Sequence, residues 1–242
     1  MLKNLLKTTA RGLGFDVRRY HPGSSHAAQL GAMLSWHRVN LVLDVGANIG
    51  QYGQELRSHV GYRGRIVSFE PMRAAHEALS RVVARSVGWE LAPRIAVGAG
   101  AGTITMNVAA NSVSSSVLPM LDTHASAAPS SRYVGTEVVP VAALDSLAPH
   151  YLRADSVTFL KIDTQGYEDE VLRGATETLA RVVGVQLELS LVPLYDGQKL
   201  MPELMEQVMR RGFQLWGISP TFADPQTGRM LQIDATFFRG TP

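Results

Sequence analysis

Short apolar runs alternate with amphipathic stretches along the chain from Leu41 onward. The apolar runs are rich in β-branched and aliphatic residues, which is typical of buried strands, and they read LVLDVG, RIVSFEP, SVTFLKID, VVGVQLELS, FQLWGIS and MLQIDATFFRG. Helical spacing follows most of them, in NIGQYGQELRSHV, RAAHEALSRVVARS, YEDEVLRGATETLARV and PELMEQVMRRG. This alternation predicts an α/β fold with a mostly parallel, doubly wound sheet and helices on both faces. No helix separates the last two strands, so we expect one antiparallel edge strand.

The middle of the chain departs from this alternation. WELAPRIAVG predicts a third strand, the Thr-rich TITMNV predicts an added hairpin strand, and EVVPVAAL resumes strand spacing. Residues 109–135 form a connection rich in Ser and Ala that is too polar and aperiodic for a core element. Because long connections in compact domains usually carry function, we expect a lid-like insertion over a ligand.

Composition narrows the class of protein. The 242 residues are 45% hydrophobic and include 22 Gly and 12 Pro, which predicts a folded core rather than disorder. No cysteine is present, which excludes a disulfide scaffold, a thiolate metal site and a cysteine nucleophile. A net charge of +2 is too small for the basic surface of a nucleic-acid binder, so we expect no nucleic-acid partner.

The charge is unevenly distributed. Residues 1–40 carry six basic and one acidic side chain, and we expect a basic N-terminal helical arm there, followed by one domain over residues 41–242. Lys7, Arg11 and Gly12 interrupt the apolar residues of the arm, so no signal-peptide core is predicted and we expect a cytoplasmic protein. The arm either covers one edge of the core or brings residues 1–20 into peripheral contact with an anionic membrane, at its inner face.

A glycine-containing turn follows the first predicted strand, in the sequence Asp44-Val-Gly-Ala-Asn-Ile-Gly50. Glycines allow a sharp turn and the close approach of a ligand, and the helix that follows offers free N–H groups. Glu70 ends the second predicted strand, where an acidic residue can accept hydrogen bonds from both hydroxyls of a ribose. Together these features predict a nucleotide-like ligand.

The spacing of these glycines bears on the kind of ligand. A dinucleotide fingerprint reads G-x-G-x-x-G, and the third glycine is missing here, which disfavours a dinucleotide-dependent oxidoreductase. The pattern D-x-G-x-N-x-G, with an acidic residue ending the next strand, resembles the S-adenosylmethionine site of class I methyltransferases. The structural alternative is an ordinary glycine turn beside a strand-end acid.

A second motif lies at residues 159–175. FLKIDTQGYE, followed by VLRGA, is similar to the signature K-I-D-x-E-G-x-E-x-x-V-L-x-G-A of FkbM-like methyltransferases. The resemblance runs from about Leu41 to Phe238. It implies a Rossmann-like class I methyltransferase fold with seven strands, S-adenosylmethionine as cofactor, and O-methylation of a hydroxyl on a sugar, glycolipid or polyketide. The implied partner is a small-molecule or lipid-linked sugar acceptor.

One position departs from that signature. Gln165 stands where the family usually has Glu. Since a neutral amide cannot act as a base, a role of this position in proton transfer or metal binding is in doubt. This departure keeps open a second function, a non-catalytic module that binds S-adenosylmethionine or a nucleotide and regulates a partner.

The resemblance also assigns the cofactor-binding residues. It places Gly46, Asn48 and Gly50 against the methionine half of the cofactor, with Asp44 below the turn. Glu70 would hold the ribose.

Further assignments fall on later strands. Ala96 and Val97, at the end of the third strand, resemble the part near the adenine, although small apolar residues are equally expected in any buried strand. Asp163 ends the fourth strand facing the reaction centre, with Lys161 two residues back on the same strand face. The alternative for Lys161 and Asp163 is a structural ion pair.

Methyl transfer to a hydroxyl requires a group that removes the proton. Asp163 is the first candidate for that base, and Glu188, at the end of the fifth strand, is the second. His124 in the Ser-rich connection could reach the acceptor, but a lone loop histidine is more often solvated. No His, Asp or Glu cluster has the spacing of a metal site, so no metal is predicted.

Overall fold

The computed structural model describes residues 2–240, with side chains from residue 7 onward. The strands of this part are β1 (Leu41–Val45), β2 (Arg65–Phe69), β3 (Trp89–Leu91), β4 (Ala96–Gly98), β5 (Gly102–Ala109), β6 (Tyr133–Ala143), β7 (Thr158–Ile162), β8 (Gly184–Ser190), β9 (Phe213–Ala223) and β10 (Met230–Arg239). Seven of them form one sheet in the order β3-β2-β1-β7-β8-β10-β9, and β4, β6 and β5 form a second sheet. The predicted seven-stranded α/β fold is confirmed.

Helices cover both faces of the larger sheet. The α-helices of residues 2–240 are α1 (Leu2–Gly12), α2 (His26–Trp36), α3 (Gln51–Glu55), α4 (Arg73–Val83), α5 (Asp122–Ala127), α6 (Leu144–Leu147), α7 (Glu168–Arg173), α8 (Thr176–Arg181) and α9 (Met201–Arg210). Buried residues of α2 and α4 pack on one face of the sheet, and those of α6, α7, α8 and α9 pack on the other. None of the helices in residues 2–240 has the length and apolar character needed to span a membrane.

The centre of the sheet is built from parallel strands with both faces buried. Every residue of β1 and of β7 is buried, as their continuous apolar runs predict. β1 pairs in parallel with β2 on one side and with β7 on the other. The chain therefore leaves β1 in one direction through β2 and β3, then returns to β7 in the other. Ligands bind at such a switch point, outside the carboxyl ends of the strands.

The antiparallel strand lies near one end of the sheet. β10 pairs antiparallel with both β8 and β9, so it occupies the place next to the edge and β9 forms the edge itself. The predicted sheet, mostly parallel with an antiparallel strand at one end, is confirmed. Within that end β9 follows α9 and runs parallel to β8, and the closing hairpin inserts β10 between them.

The predicted third strand is divided between the two sheets. β3 pairs with β2, whereas β4 pairs with β6 in the second sheet. Pro93 lies between them and has no backbone N–H to donate, so it cannot continue the ladder. Ala96 and Val97 consequently lie in β4, and not at the end of the third strand of the larger sheet. The predicted hairpin strand is β5, which pairs antiparallel with β6.

α2 packs on the core although it lies in the basic N-terminal region. Its Leu30 and Leu34 are buried in a cluster with Val42 of β1 and Phe159 of β7. Ser25 caps the helix, because its side chain accepts a hydrogen bond from the backbone N–H of Ala28. These contacts attach residues 25–36 to the sheet.

Candidate active site

The turn after β1 depends on left-handed backbone conformations. Gly46, Asn48 and Gly50 have φ angles of +84°, +47° and +90°. Glycine adopts such angles without steric cost, and asparagine is among the few other residues that tolerate them. The turn leads directly into α3, whose first residue is Gln51. The motif therefore forms the strand-to-helix turn that the sequence predicts.

Close packing explains the two glycines. A β-carbon on Gly46 would overlap the backbone carbonyl of Asp163, and one on Gly50 would press on Leu79 and Trp89. The sequence suggests that a ligand requires the missing β-carbons here. The structure gives a different reason, since neighbouring segments of the protein itself occupy that space.

Glu70 links the two halves of the first motif. Its Oε2 accepts a hydrogen bond from the N–H of Asn48 at 2.8 Å, and its Oε1 accepts one from the N–H of Met72 at 2.7 Å. Burial raises the pKa of this carboxyl to about 7, although both backbone hydrogen bonds act to lower it. Each oxygen keeps a free lone pair, so Glu70 can still accept hydrogen bonds from a ligand.

A cavity of about 430 Å³ opens above the carboxyl ends of β1 and β7. Its size is within the usual range for a small-molecule site. Of the residues assigned from the sequence, seven border it: Gly46, Asn48, Glu70, Ala96, Val97, Asp163 and Glu188. The other three assigned residues, Asp44, Gly50 and Lys161, are not part of its lining and lie next to residues that are.

One wall of the cavity is apolar and includes residues that no sequence motif identifies. Met72, Ile95, Ile104 and Met106 line it beside Ala96. Met72, Met106 and Ala96 belong to one buried cluster between α4 and the second sheet. The hydrophobic alternation of TITMNV is the only local signal for two of them. Their meeting depends on the pairing of β5 with β6, which sequence spacing does not reveal.

A row of polar residues crosses the larger sheet below the cavity. Strand pairing aligns, on the face covered by α2 and α4, the residues Ser68, Asp44, Lys161, Gln186 and Thr236. Asp44 accepts a hydrogen bond from Ser68 at 2.9 Å, and burial raises the pKa of this aspartate to about 6. Asp44 is thus a buried carboxyl that lies two residues before Gly46 and is hydrogen-bonded to the neighbouring strand β2.

Lys161 is a buried cation among carboxylates. Its Nζ lies 3.1 Å from Asp163 Oδ2 and 3.8 Å from Asp234 Oδ1. Burial alone would lower the pKa of Lys161, but the carboxylates of Asp163 and Asp234 raise it overall. The ion pair with Asp163, considered from the sequence as an alternative, is present.

Gln165 connects the two candidate bases. Its Nε2 donates to Asp163 Oδ1 at 2.8 Å and to Glu188 Oε2 at 2.7 Å, and its Oε1 accepts from the Tyr195 hydroxyl at 2.8 Å. Gln232 donates a further hydrogen bond to Glu188 at 2.8 Å. Burial, together with the nearby charge of Asp163, raises the pKa of Glu188 well above its usual range. The amide therefore holds two carboxylates side by side at the cavity.

The Ser-rich connection is tied to the site by several hydrogen bonds. Ser116 donates to the backbone carbonyl of Gln165 at 2.6 Å, and Ser112 donates to Asn48 Oδ1 at 3.3 Å. Residues 111–115 border the cavity. His124 of α5 borders it as well and is buried, in contrast to the solvated histidine that the sequence suggests.

The sheet order, the strand-to-helix turn after β1 and the acid ending β2 together define a class I methyltransferase fold with a ligand cavity at its switch point. A family model for the methyltransferase FkbM domain matches residues 44–215, and the chain belongs to this family. The resemblance drawn from the two motifs is confirmed. Among curated protein sequences, none matches this chain significantly.

Solved structures resemble this chain at low sequence identity. Methyltransferase FkbM from Methylobacillus flagellatus KT superposes with a TM-score of 0.52 at 13% identity, over 81% of this chain and 43% of that one. Fibrillarin from Aeropyrum pernix, with natively bound S-adenosylmethionine, gives a TM-score of 0.48 at 10% identity, over 86% of this chain and 73% of the other. The present chain thus spans less than half the length of the Methylobacillus protein.

S-adenosylmethionine is the cofactor of this methyltransferase family, and the cavity has the chemistry to accept it. Glu70 offers a buried carboxylate with free lone pairs, the neighbouring wall is apolar, and the opposite end carries Asp163 and Glu188. Within residues 2–240, no group of three or more histidine or acidic side chains is arranged to hold a metal ion.

Proposed function

We propose that the protein transfers a methyl group from S-adenosylmethionine to a hydroxyl of a sugar, glycolipid or polyketide-type acceptor. The observation that carries this proposal is the pair of carboxylates, Asp163 and Glu188, that one amide holds at the cavity. A hydroxyl gives up its proton only to a suitably placed base, and this pair supplies two.

The cofactor-binding part of the site follows from the lining residues. Glu70 would accept hydrogen bonds from the ribose hydroxyls, and the wall formed by Met72, Ile95 and Ala96 would cover the adenine. Asn48 and the backbone of the turn at Gly46 would hold the methionine half. When bound, S-adenosylmethionine supplies an electrophilic methyl group to the acceptor oxygen.

Asp163 is the first choice for the base. It follows β7 directly, borders the cavity and is oriented by Lys161 and Gln165 on its two oxygens. In the proposed reaction the acceptor oxygen would bond to the methyl carbon as the bond from that carbon to the cofactor sulfur breaks, which leaves the demethylated cofactor, and the acceptor proton would pass to the Asp163 carboxylate. Glu188 is the second choice, and Lys161 acts as a positioning residue because it lies behind Asp163 and outside the lining.

Calorimetry and methyl transfer test this function together. The wild-type protein should bind S-adenosylmethionine and not NAD, and should move a labelled methyl group onto hydroxyl compounds of a cell extract. Asp163→Asn and Glu188→Gln should keep cofactor affinity, and Asp163→Asn should lower turnover by about 10² or more. Asp155→Asn and Glu177→Gln, both exposed, are matched controls.

Two results would contradict the proposal in different ways. Full activity of both carboxylate variants would remove the base assignment. Cofactor binding without any methyl transfer would instead favour the regulatory module, which the amide at position 165 keeps as a second candidate.

We further propose peripheral contact of residues 1–20 with an anionic membrane. Leu13, Phe15 and Tyr20 expose most of their side chains, and Arg18 and Arg19 lie beside them in the sequence. Apolar side chains interleaved with basic ones suit the headgroup region of an anionic bilayer. Deletion of residues 1–20 should reduce binding to phosphatidylserine vesicles and leave binding to phosphatidylcholine vesicles unchanged. Equal binding of both proteins to the anionic vesicles would dismiss the contact.

A further inference from the structure

His124 occupies an unusual place for a histidine of a surface connection. His124 is only 3% exposed, and it borders the same cavity as Asp163. Its Nδ1 is buried without a hydrogen-bond partner in the described part of the chain. A buried polar atom without a partner is destabilising, so its presence at a cavity suggests that a ligand interacts with this ring.

Two aromatic side chains hold the imidazole in place. The ring of Tyr195 meets it edge-on, with centroids 5.2 Å apart and an interplanar angle of 72°. The ring of Phe222 lies 5.3 Å away at 41°. Tyr195 also donates its hydroxyl to Gln165, the residue that joins the two carboxylates. His124 and the carboxylate pair are therefore anchored on the same tyrosine.

The chemistry of the ring complements that of the carboxylates. Burial lowers the pKa of His124 to about 4, so the imidazole is neutral near pH 7 and one of its nitrogens accepts a hydrogen bond. The Asp163 oxygens already receive hydrogen bonds or charge from Gln165 and Lys161. In the described part of the chain, His124 is the only residue of the cavity lining with a buried side-chain nitrogen or oxygen that lacks a hydrogen-bond partner.

The lining also restricts the acceptor. Neither Lys nor Arg borders the cavity within residues 2–240, whereas Asp163, Glu188 and Glu70 do. An acceptor that reacts through a carboxylate or a phosphate would place its charge among these acids, and the lining offers it no Lys or Arg side chain as a partner. A neutral hydroxyl meets no such penalty and can donate a hydrogen bond to imidazole.

We propose that His124 is an acceptor-binding residue, whose imidazole receives the hydrogen bond of an uncharged hydroxyl while Phe222 and Tyr195 hold the ring in position. This inference rests on the proposed function and narrows its substrate class to neutral hydroxyl compounds, with methyl ethers as products. The proton removed in the reaction still passes to Asp163.

His124→Phe is a direct test, because it removes both ring nitrogens and keeps an aromatic ring between Tyr195 and Phe222. With labelled S-adenosylmethionine and a cell extract as the source of acceptors, the variant should incorporate label about tenfold more slowly than wild type. Its affinity for S-adenosylmethionine should be unchanged in calorimetry. His150→Phe, at an exposed histidine, is the control and should behave as wild type.

The chemical stability of the label identifies the product class. Label that survives mild alkali but is released as methyl iodide by hydriodic acid is in a methyl ether and supports the proposal. Label released as methanol by mild alkali is in a methyl ester, and label that resists both treatments is on nitrogen or carbon, and either result overturns it. Incorporation by His124→Phe at the wild-type rate also overturns it. If the wild-type protein binds no cofactor or transfers no label, the proposed function itself fails, and the inference about His124 fails with it.

Discussion

The side-chain amide of Gln165 donates one hydrogen bond to Glu188 at 2.7 Å and another to Asp163 at 2.8 Å. An amide nitrogen carries two hydrogens, so it can satisfy both carboxylates at once. A glutamate, which the FkbM-like signature usually has here, would place a third acid between them. The glutamine that departs from the signature therefore finds an acceptor for each of its amide hydrogens, in Asp163 and Glu188.

Gln165→Glu should therefore impair this protein. A third carboxylate would repel Asp163 and Glu188 in a partly buried site, and we expect methyl transfer to fall at least about tenfold near pH 7. The rate of the variant relative to wild type at the same pH should partly recover at lower pH, where a protonated carboxyl can again donate. Rates measured on labelled S-adenosylmethionine between pH 5 and pH 8 check this.

Two further variants separate charge from hydrogen bonding. Gln165→Met removes the donors without adding a charge, and Gln226→Glu adds a charge at an exposed turn. If Gln165→Glu matches the wild-type rate at neutral pH, the two carboxylates do not need the amide.

Glu70 should make cofactor binding depend on pH. Ribose hydroxyls donate to the ionised carboxylate, and the pKa of Glu70 in the free protein is about 7. Lowering the pH from 8 to 6 should therefore weaken S-adenosylmethionine binding by about tenfold, since the ionised fraction falls by that factor. Glu70→Gln should bind more weakly at pH 8 and lose most of this dependence. Calorimetric titrations at three pH values would refute the ribose role if both proteins respond alike.

Gly46 should tolerate no side chain. In Gly46→Ala the β-carbon would overlap the Asp163 carbonyl, and alanine would also be held at a φ of +84°. We expect the free energy of unfolding to drop by at least about 2 kcal/mol. Gly100→Ala is the matched control, because nothing lies within 4 Å of a β-carbon there. Equal urea midpoints for the two variants would contradict this prediction, because they would mean that the Asp163 backbone moves away from the new β-carbon at little cost in free energy.

His124 should lower stability in mild acid. The folded-state pKa of His124 is about 4, below the ordinary 6.5, because the ring is buried. The unfolded chain therefore binds this proton first, and stability falls as the pH drops from about 6.5 to about 4. The groups that face the ring are Tyr195 and Phe222, and neither carries a charge in this range.

His124→Phe should remove this contribution. Compared with wild type, the variant should gain stability progressively between pH 6.5 and pH 4.5, as measured by urea unfolding at each pH. Other titrating groups are common to both proteins and cancel in the difference. Parallel pH profiles for the two proteins would show that the histidine is hydrated in the folded state.

Local patterns were sufficient for much of the molecule. The apolar run at 41–45 becomes the buried strand β1, and the glycine turn leads into α3 as its sequence predicts. Glu70 and Asp163 end or follow strands that are adjacent to β1, so strand order alone brings both acids to one edge. These features follow from the sequence because each depends on neighbouring residues or on the regular order of strands and helices.

Other features depended on contacts between distant segments. Pro93 splits one predicted strand between two sheets, and the apolar wall exists only because β5 pairs with β6. Gly46 must be glycine because the backbone of Asp163, far along the chain, fills the space that a β-carbon would need. The spacing of residues in the sequence does not reveal which distant segments come into contact.

The sequence by itself determined the family, the order of strands and helices and the positions of the motifs. The tertiary structure decided what those positions do. Gln165 reads as a lost base in the sequence and is a donor to two carboxylates in the fold, and His124 reads as a solvated residue and is buried at the cavity. The physical reason is that burial and hydrogen-bond partners come from the packing of several elements, whereas a motif specifies only one.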